Sequence, residues 1–420
     1  MTDRDELPPD WSLRAVDDLI ESRQPGYWGD SEATDRRPVP VLVVRNGDLD
    51  EAGHRKSAAP RFFGVREAER SRLAKGDILL TTSGQVGKVY LVAGDIEMLR
   101  PSNFTRRIRP RASEVDAEYL FLTFFSAKIR AALQQHAHGS TIRNLNASFF
   151  AERLIPLPPL PEQRAIAGIL RTVQRAKEAT DQVIAASREL ARSLGQRVFH
   201  YGLAPLTAPA EEVNWPAVSL AEVAAPDRPI CYGILMPGPN IEGGVLYVKV
   251  RDYPDGTVQA GGLLRTSAVI AEQYRRSTLR GGDVLVSIRG TTGRVAIVPE
   301  GMGGANITQD TARVTVDPRF DRDYIALALR SSPSQSYIRE WTRGAAVKGI
   351  NLRDLRQLSL PLPPRPIQSE IAGAQRSVES KISAELGRSA ALDILFKALM
   401  GDLMTGRVRV AQFDPIVEIP

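Results

Sequence analysis

Two stretches of this sequence repeat one another about 205 residues apart. Leu73–Val92 reads LAKGDILLTTSGQVGKVYLV, and Leu279–Val298 reads LRGGDVLVSIRGTTGRVAIV, with eight identities in twenty positions. A second pair, IPLPPLPEQRAIAGI (Ile155–Ile169) and LPLPPRPIQSEIAGA (Leu360–Ala374), keeps nearly the same offset without a gap. A duplication constrains the architecture more strongly than any local motif does.

Matching residues outside these stretches keep nearly the same spacing, 204–206 residues. They are Trp11 and Trp215, Val44-Arg45 and Val250-Arg251, Tyr119 and Tyr324, Gly139 and Gly344, and Asn146 and Asn351. So many matches at nearly one offset do not arise by chance. We therefore predict that residues 10–205 and 214–408 share one fold.

Each copy changes its hydrophobic pattern once. The first part has short Val, Ile, Leu and Tyr runs bounded by Gly, Asp and Asn, such as PVLVVRNG, GDILLTTSG and GKVYLVAG. This pattern is typical of strands joined by tight turns. Helical segments interrupt the strands, notably Ala117–Gln135. Each copy is therefore predicted to begin with a mixed α/β domain.

A heptad pattern follows the proline cluster in each copy. The predicted inward positions are Ile166, Leu170, Val173, Lys177, Thr180, Ile184, Ser187, Ala191, Leu194 and Val198 in the first copy, and Ile371, Gln375, Val378, Ile382, Glu385, Ser389, Leu392, Phe396, Leu399 and Leu403 in the second. Both sets are mainly apolar with polar interruptions, which predicts a two-faced helix of roughly 40 residues in each copy. Pro161 and Glu162 suit a first helical turn.

The connectivity of the repeat predicts the topology. The second helix can bury its apolar stripe most simply by folding back along the first, so the two helices should be antiparallel. The predicted fold class is α/β, with two homologous mixed α/β domains joined by two long antiparallel helices in a coiled coil, and a pseudo-two-fold internal repeat. The predicted boundaries are a first domain at 1–155, a helix at 156–204, a second domain at 205–360, a second helix at 361–410 and a C-terminal tail at 411–420.

Composition and motifs exclude several classes of protein. No basic segment followed by an apolar stretch opens the chain and no run of 18 apolar residues occurs, so we expect a cytoplasmic protein. Cys231 is the single cysteine, which excludes a disulfide framework and a multi-cysteine zinc site. The net charge of +6 permits an anionic partner without requiring one.

Catalytic motifs are also absent from the sequence. GQVGKV and GTTGRV lack the glycine spacing of a phosphate-binding P-loop, and neither the Asn-Pro-Pro-aromatic motif of adenine methyltransferases nor G-x-G-x-x-G occurs. His136 and His138 have no clustered cysteines or carboxylates beside them, so we predict no metal site. Asp77 and Asp283 precede strands beside a glycine, which indicates a turn role. We predict that the chain is not an enzyme.

A duplicated domain held by a fixed spacer suits a ligand that also repeats, such as duplex DNA with its period of about 34–36 Å. The segment RPSNFTRRIRPR (Arg100–Arg111) has five arginines and no acid. A basic run of this kind either is solvated or faces phosphates. Arg106, Arg107 and Arg109 are therefore candidates for DNA contact.

The glycine-framed hairpins are the better candidates for reading bases, because arginine pairs with guanine, glutamine with adenine, and threonine or serine with either. Thr82, Ser83, Gln85 and Lys88 surround the first hairpin, and Arg289, Thr291, Thr292 and Arg294 surround the second. The alternative is that the glycines only close the turn.

A second polar stretch precedes the prolines in each copy. GSTIRNLN offers Ser140, Thr141, Arg143 and Asn144, and GAAVKGIN offers Lys348. Arg45, Arg251 and Arg343 complete the candidate set for DNA binding. The copies differ most at these polar positions, which favours an asymmetric, bipartite target over a palindrome.

The proline-rich LPPLPEQRAIAGIL, the hairpin GDILLTTSGQVGKV, the tryptophan that opens each copy and the two-copy layout resemble the specificity subunits of Type I restriction-modification enzymes. The resemblance spans nearly the whole chain. It implies that each α/β unit is a target-recognition domain that reads one half of a split double-stranded DNA site. It further implies that the helices set the gap and dock methyltransferase (modification) subunits, which recruit restriction and translocase subunits.

The resemblance also implies that this chain holds no cofactor, with S-adenosylmethionine, ATP and Mg²⁺ bound by the partner subunits. The second copy departs from the first at Ile367, Ser369 and Glu370, where the first has Glu162, Arg164 and Ala165. The two helix starts are therefore not equivalent. Alternative hypotheses are a specificity subunit of another phage-defence or Type II-like system, a two-module protein-interaction scaffold, and an enzyme.

Overall fold

The computed structural model describes residues 7–32, 38–50, 53–94, 97–139, 143–201, 215–254, 256–344 and 348–410. The chain forms two compact units. Unit 1 comprises residues 1–180 and 388–420, and unit 2 comprises residues 181–387. Each unit therefore contains one α/β domain together with part of each long helix.

Unit 1 contains the first α/β domain. Its strands are β1 (Ser12–Ala15), β2 (Ile20–Pro25), β3 (Val39–Val44), β4 (Ala59–Phe63), β5 (Ile78–Thr81), β6 (Val89–Leu91), β7 (Leu99–Pro101), β8 (Thr105–Pro110), β9 (Ala137–His138), β10 (Asn144–Leu145) and β11 (Leu154–Leu157), and its helices are α1 (Val65–Arg70), α2 (Ala117–Phe125), α3 (Ala127–Gln135), α4 (Ser148–Glu152) and the first half of α5 (Leu160–Tyr201). The main sheet has the antiparallel order β2-β8-β5-β6, and a second has the order β4-β3-β7, with β3 and β7 parallel. Two-stranded ladders join β1 to β11 and β9 to β10.

Unit 2 repeats this plan. Its strands are β12 (Ala217–Ser219), β13 (Cys231–Tyr232), β14 (Val245–Val248), β15 (Leu264–Thr266), β16 (Val284–Ser287), β17 (Val295–Ile297), β18 (Asn306–Ile307), β19 (Thr311–Val314) and β20 (Ser359–Pro361), and its helices are α6 (Leu220–Val223), α7 (Ala268–Gln273), α8 (Arg322–Arg330), α9 (Ser332–Trp341), α10 (Leu352–Arg356) and the first half of α11 (Arg365–Leu403). The sheets β13-β19-β16-β17, β15-β14-β18 and β12-β20 correspond to three of those in unit 1. The predicted pair of homologous mixed α/β domains is confirmed.

One predicted correspondence within the repeat is wrong. Arg45 and Lys249 occupy equivalent positions, because each begins a short 3-10 turn and donates its backbone N–H to an aspartate three residues on. Arg251 instead lies inside the second turn. The sequence match of two Val-Arg pairs was misleading, because the connection that follows this turn is longer in the second copy.

The predicted helical segment Ala117–Gln135 is interrupted at Ser126, where the backbone is extended (ψ 143°). Its hydroxyl donates to the Thr123 carbonyl at 2.7 Å and partners a carbonyl at the end of α2. Ser331 makes the same break between α8 and α9 and donates to the Ala328 carbonyl at 2.7 Å. The break is therefore a repeated feature of the fold.

The long helices carry the predicted heptad. At the predicted inward positions, every side chain that the structure describes is buried or half-buried; Leu194 and Val198 lie outside the described side chains. In unit 1, Ile166 and Leu170 near the start of α5 share one core with Met400 and Leu403 near the end of α11. The start of one helix therefore packs beside the end of the other, which confirms the antiparallel arrangement.

A buried glutamine joins each α/β domain to its helix. The Gln163 side chain is 1% exposed, accepts from the Asp116 backbone N–H at 2.8 Å, and donates to the Pro158 and Glu114 carbonyls at 2.8 and 3.1 Å. Gln368 is 2% exposed and makes the equivalent bonds to the Asp321 N–H at 2.9 Å and the Pro363 carbonyl at 2.8 Å. This residue is shared by the two PxQ helix starts, and it fixes where each domain sits on its helix.

The two helix starts differ as the sequence indicates. In unit 1, Trp11 Nε1 donates to Glu162 at 3.0 Å, and Arg409 bonds to Glu162 at 2.7 Å and to Asp10 at 2.7 Å. The hydrogen bonds to Glu162 and Asp10 raise the pKa of Arg409. The counterpart in unit 2, Trp215, has a buried Nε1 without a partner among the described residues.

Candidate nucleic-acid interface

The two loops that the sequence singles out in the first copy meet in unit 1. Gly84, at the hairpin tip, donates its N–H to the Arg143 carbonyl at 2.8 Å, and Leu145 donates to the Thr82 carbonyl at 2.8 Å. Gly84 has a φ of 73°, a conformation that favours glycine because it lacks a Cβ atom. The hairpin and the polar stretch thus form one surface, which we call loop surface 1 (residues 82–88 and 143–145).

Unit 2 brings the equivalent loops together by the same bonds. Gly290 (φ 69°) donates to the Lys348 carbonyl at 2.9 Å, and Ile350 donates to the Ile288 carbonyl at 2.9 Å. We call this loop surface 2 (residues 288–294 and 348–350). The backbone is therefore the same in the two copies, whereas the side chains on it differ.

A third segment, which sequence reasoning reached only through Arg45, completes loop surface 1. Lys88 donates its Nζ to the carbonyls of Asn46 at 3.3 Å and Leu49 at 3.0 Å, and the Asn46 amide donates to the Ser83 carbonyl. Arg45 forms two bonds to Asp48, at 2.9 and 3.1 Å. Lys88 and Arg45 are thus half-buried and oriented by internal contacts.

In loop surface 2, Arg294 donates to the Val250 carbonyl at 3.3 Å, in the place that Lys88 occupies in unit 1. Arg289 is exposed and donates to the Gln309 side-chain oxygen at 2.7 Å. Arg343 is exposed, with its guanidinium carbon 5.3 Å from the centre of the Trp341 ring. Sequence reasoning missed Gln309, because nothing in its local sequence indicates that it faces the hairpin.

The exposed candidates separate by chemistry. Gln85, Arg143 and Asn144 are exposed in unit 1, and Arg251, Arg289, Thr291, Arg343 and Lys348 are exposed in unit 2. Thr82, Thr292 and Arg294 are half-buried, and Ser83 is 8% exposed. Ser140 and Thr141 lie outside the described residues. Unit 1 therefore presents mainly amides with one arginine, and unit 2 presents mainly cations.

Two arginines of the run on β8, Arg107 and Arg109, have internal partners. Arg109 forms two hydrogen bonds of 2.8 Å with Asp77, which is 1% exposed. Arg107 is 6% exposed and donates to the Arg72 carbonyl at 2.7 Å, and burial lowers its pKa. Burial also lowers the pKa of the half-buried Arg106. Because the guanidinium groups of Arg107 and Arg109 bond to protein atoms, the proposed interface does not include them, whereas Arg106 stays a candidate for DNA contact.

Asp77 and Asp283 have the predicted turn role and an additional one. Each accepts a backbone N–H three residues earlier, at 2.7 Å. Each also pairs with an arginine on a neighbouring segment, Arg109 in unit 1 and Arg228, at 3.2 Å, in unit 2. Among the described residues, no group of three His, Cys, Asp or Glu side chains could hold a metal ion. Within the same residues, no helix is long and apolar enough to cross a membrane.

The family model for the Type I restriction modification DNA specificity domain matches residues 8–186 and 242–393. The chain is similar to the Type I restriction enzyme EcoBI specificity subunit of Escherichia coli, with 29% identity over 300 residues. That alignment covers 65% of this chain and 63% of the relative's own length. The putative Type I restriction enzyme MjaX specificity subunit of Methanocaldococcus jannaschii is 24% identical over 426 residues, 97% of this chain and 96% of the relative.

Solved structures agree on the fold. The S subunit of a Type I restriction-modification system from M. genitalium aligns with a TM-score of 0.61 and 15% identity, covering 95% of this chain and 98% of that one. A chain from a structure describing assembly and conformational transition of the Type I restriction-modification system aligns with a TM-score of 0.57 and 19% identity, covering 96% and 99%. Because the family model matches more than half of the chain, the chain belongs to the family of Type I restriction-modification DNA specificity proteins, in which it is a non-catalytic specificity subunit.

Proposed function

We propose that unit 1 and unit 2 each read one half of an asymmetric, bipartite site in double-stranded DNA, through loop surfaces 1 and 2. The observation that carries the proposal is that identical backbone bonds hold different polar side chains in the two units. A common scaffold with unlike side chains suits two different half-sites, because base edges are distinguished by the donors and acceptors that face them.

The polar groups support a division of roles within each surface. Gln85 and Asn144 carry amides, which can form two hydrogen bonds with adenine. Arg289 can form two hydrogen bonds with guanine, and its bond to Gln309 orients the guanidinium. Lys348 is a flexible point charge, which suits a phosphate better than a base edge.

We further propose that α5 and α11 dock methyltransferase subunits. Both helices expose large apolar side chains away from their heptad stripe, namely Val183, Leu190, Leu386, Ile394 and Leu395, which are 37–69% exposed. Exposed apolar side chains on a helix can contribute to a protein contact, and this supports docking on α5 and α11. S-adenosylmethionine, ATP and Mg²⁺ would then be bound by the methyltransferase and restriction subunits in the cytoplasm.

A salt titration of DNA binding tests the first proposal. The intact chain, with its methyltransferase partner, is titrated against a duplex that carries the site found by methylome sequencing. Replacing Lys348 by alanine should weaken binding and reduce the slope of log K against log salt by about 0.9, the value for one lost phosphate contact. Lys381→Ala is the matched control, because Lys381 is exposed on α11 and belongs to neither loop surface.

Two outcomes would contradict the proposal. Equal slopes for Lys348→Ala, Lys381→Ala and the unaltered protein would remove Lys348 from the interface. If the unaltered protein showed no salt-dependent binding to the duplex that carries the site, and no preference for it over other DNA, the result would favour a protein-interaction scaffold instead.

The role of the helices as a spacer is tested by deleting one heptad from each. Seven residues shorten a helix by about 10 Å, which corresponds to about three base pairs. We expect the methylome of a host that expresses the altered system to show the same half-sites with a shorter gap. An unchanged gap would refute the spacer role.

A further inference from the structure

Each unit exposes a large apolar side chain beside its loop surface. Trp28 in unit 1 is 47% exposed, and Leu235 and Met236 in unit 2 are 46% and 82% exposed. Exposed apolar surface that is rimmed by polar residues can mark an interaction site. The segments around Trp28 and Leu235 show no sequence similarity that would match them to each other.

These side chains occupy equivalent positions in the two units. Gly26 and Gly233 each lie so close to a sheet edge that an added Cβ would be 1.9 Å from a backbone oxygen, that of Pro101 in unit 1 and that of Ile307 in unit 2. Trp28 and Leu235 both follow this glycine by two residues. The close approach of this glycine to the sheet edge therefore places an apolar side chain at the equivalent position in each unit.

In unit 1, the apolar side chain is continuous with the loop surface. The Trp28 ring packs edge-on against Phe104 at 5.8 Å, and the Phe104 carbonyl accepts from the Thr82 N–H at 2.9 Å. The guanidinium carbon of Arg61 lies 5.8 Å from the centre of the Trp28 ring. The tryptophan thus stands between a cation and the hairpin.

In unit 2, Gln309 makes the connection. Its side-chain oxygen accepts from Arg289, and its amide nitrogen lies 3.5 Å from the Leu235 carbonyl. The Gln309 backbone N–H donates to the Ile234 carbonyl at 2.9 Å. This bond holds the following Leu235–Met236 pair beside Arg289. Met236, the most exposed of the three, is the most available for contact.

We propose that Trp28 in unit 1 and Leu235–Met236 in unit 2 are apolar DNA contacts that pack against thymine methyl groups and deoxyribose beside the polar readout. The proposal rests on the proposed function of the loop surfaces. Cations flank the apolar side chains in both units, Arg61 in unit 1 and Arg289 in unit 2, and this suits a polyanion better than an ordinary protein surface. Thymine methyl groups are the apolar feature that a protein meets in the major groove.

Binding by Met236→Ala and Trp28→Ala variants of the intact chain with its methyltransferase partner tests the proposal. Each should weaken specific binding by about tenfold, which corresponds to the loss of one buried large apolar side chain. The salt slope should not change, since no phosphate contact is lost, and this separates the variants from Lys348→Ala. Leu154→Ala is the matched control, because Leu154 is 46% exposed on β11, outside the loop surfaces and the docking residues of the long helices, and should leave the affinity for DNA unchanged.

DNA that lacks single methyl groups locates the contact. Each thymine of the site is replaced in turn by deoxyuridine, which removes only the methyl. At least one replacement in each half-site should weaken binding of the unaltered protein and have no further effect on the matching variant. Met236→Ala changes a side chain that is 82% exposed, so its fold should be retained even if Trp28→Ala is unstable.

Three results would overturn this inference while leaving the proposed function intact. They are full DNA affinity in both variants, a changed salt slope, and loss of methyltransferase co-purification with unchanged DNA affinity, which would make the patch a protein contact. Absence of site-specific binding by the unaltered protein would instead refute the proposed function itself.

Discussion

The buried glutamine at the start of α5 offers a quantitative test of how a recognition domain is attached to its helix. Replacing Gln163 by leucine keeps a side chain of similar size but removes three hydrogen bonds, at 2.8, 2.8 and 3.1 Å. The Asp116 N–H and two carbonyls lose their partner in a site where the glutamine is 1% exposed.

The expected cost follows from these contacts. An unsatisfied buried polar group costs about 1–3 kcal/mol, and carbonyls that keep other contacts cost less than a lone N–H. We therefore expect Gln163→Leu to lower the free energy of unfolding of unit 1 by about 3 kcal/mol. Gln368→Leu removes two such bonds in unit 2 and should cost about 2 kcal/mol.

Urea unfolding followed by hydrogen exchange measures the effect in each unit separately. A loss of about 3 kcal/mol should lower the midpoint for peptides around Asp116 by about 1–2 M urea. Arg164→Leu is the control, because Arg164 is the exposed neighbour of Gln163 on the same helix. If Gln163→Leu unfolds unit 1 no earlier than Arg164→Leu does, the hydrogen bonds do not hold the domain to its helix.

Three further changes test other parts of the structure. Arg109→Ala leaves the Asp77 carboxylate buried without its ion-pair partner, and thermal denaturation should show a loss of about 3–5 kcal/mol in the free energy of unfolding. A stable variant with weakened DNA binding would instead show that Arg109 belongs to the DNA interface. Gly26→Ala should lower the free energy of unfolding of unit 1 by about 3 kcal/mol through overpacking, whereas Gly47→Ala, where an added Cβ meets nothing within 4 Å, should change it by less than about 0.5 kcal/mol. Equal midpoints of chemical denaturation for the two variants would contradict the close approach of Gly26 to the Pro101 carbonyl. Burial opposes ionisation of Asp48, but hydrogen bonds from Arg45 and Ser57 outweigh this effect and lower the pKa of Asp48. The ionised carboxylate therefore contributes stability above the unfolded pKa of about 4, and this contribution is lost as the pH falls below that value. The difference in unfolding free energy between Asp48→Asn and the unaltered protein, measured by denaturation from pH 6 to pH 3, should therefore narrow, and a constant difference would refute this assignment.

Local sequence was sufficient for the features that depend on identity or period. The duplication, the two heptad helices and the turn role of Asp77 and Asp283 were predicted correctly. Identical residues at nearly one offset, and apolar residues at a seven-residue spacing, can be recognised without knowing which residues are in contact. The antiparallel course of the helices also followed, since each apolar stripe has to be covered. The hairpins and the polar stretches were identified separately as candidates for the site.

The tertiary structure decided which candidates share a surface. The bonds from Gly84 to Arg143 and from Gly290 to Lys348 join segments nearly 60 residues apart, so no local pattern reports them. Arg107 and Arg109 were candidates for phosphate contact because charge alone does not reveal on which side of a strand a buried carbonyl or carboxylate lies.

Equivalence between the copies was also a tertiary property wherever the loops differ in length. Lys249 matches Arg45, and Leu235 matches Trp28, because sheet register and the close approach of a glycine place them, although their side chains differ. The sequence by itself thus determined the plan of two similar domains on paired helices. Only the packed sheets decided which side chains emerge at the loop surfaces, because long-range hydrogen bonds position them.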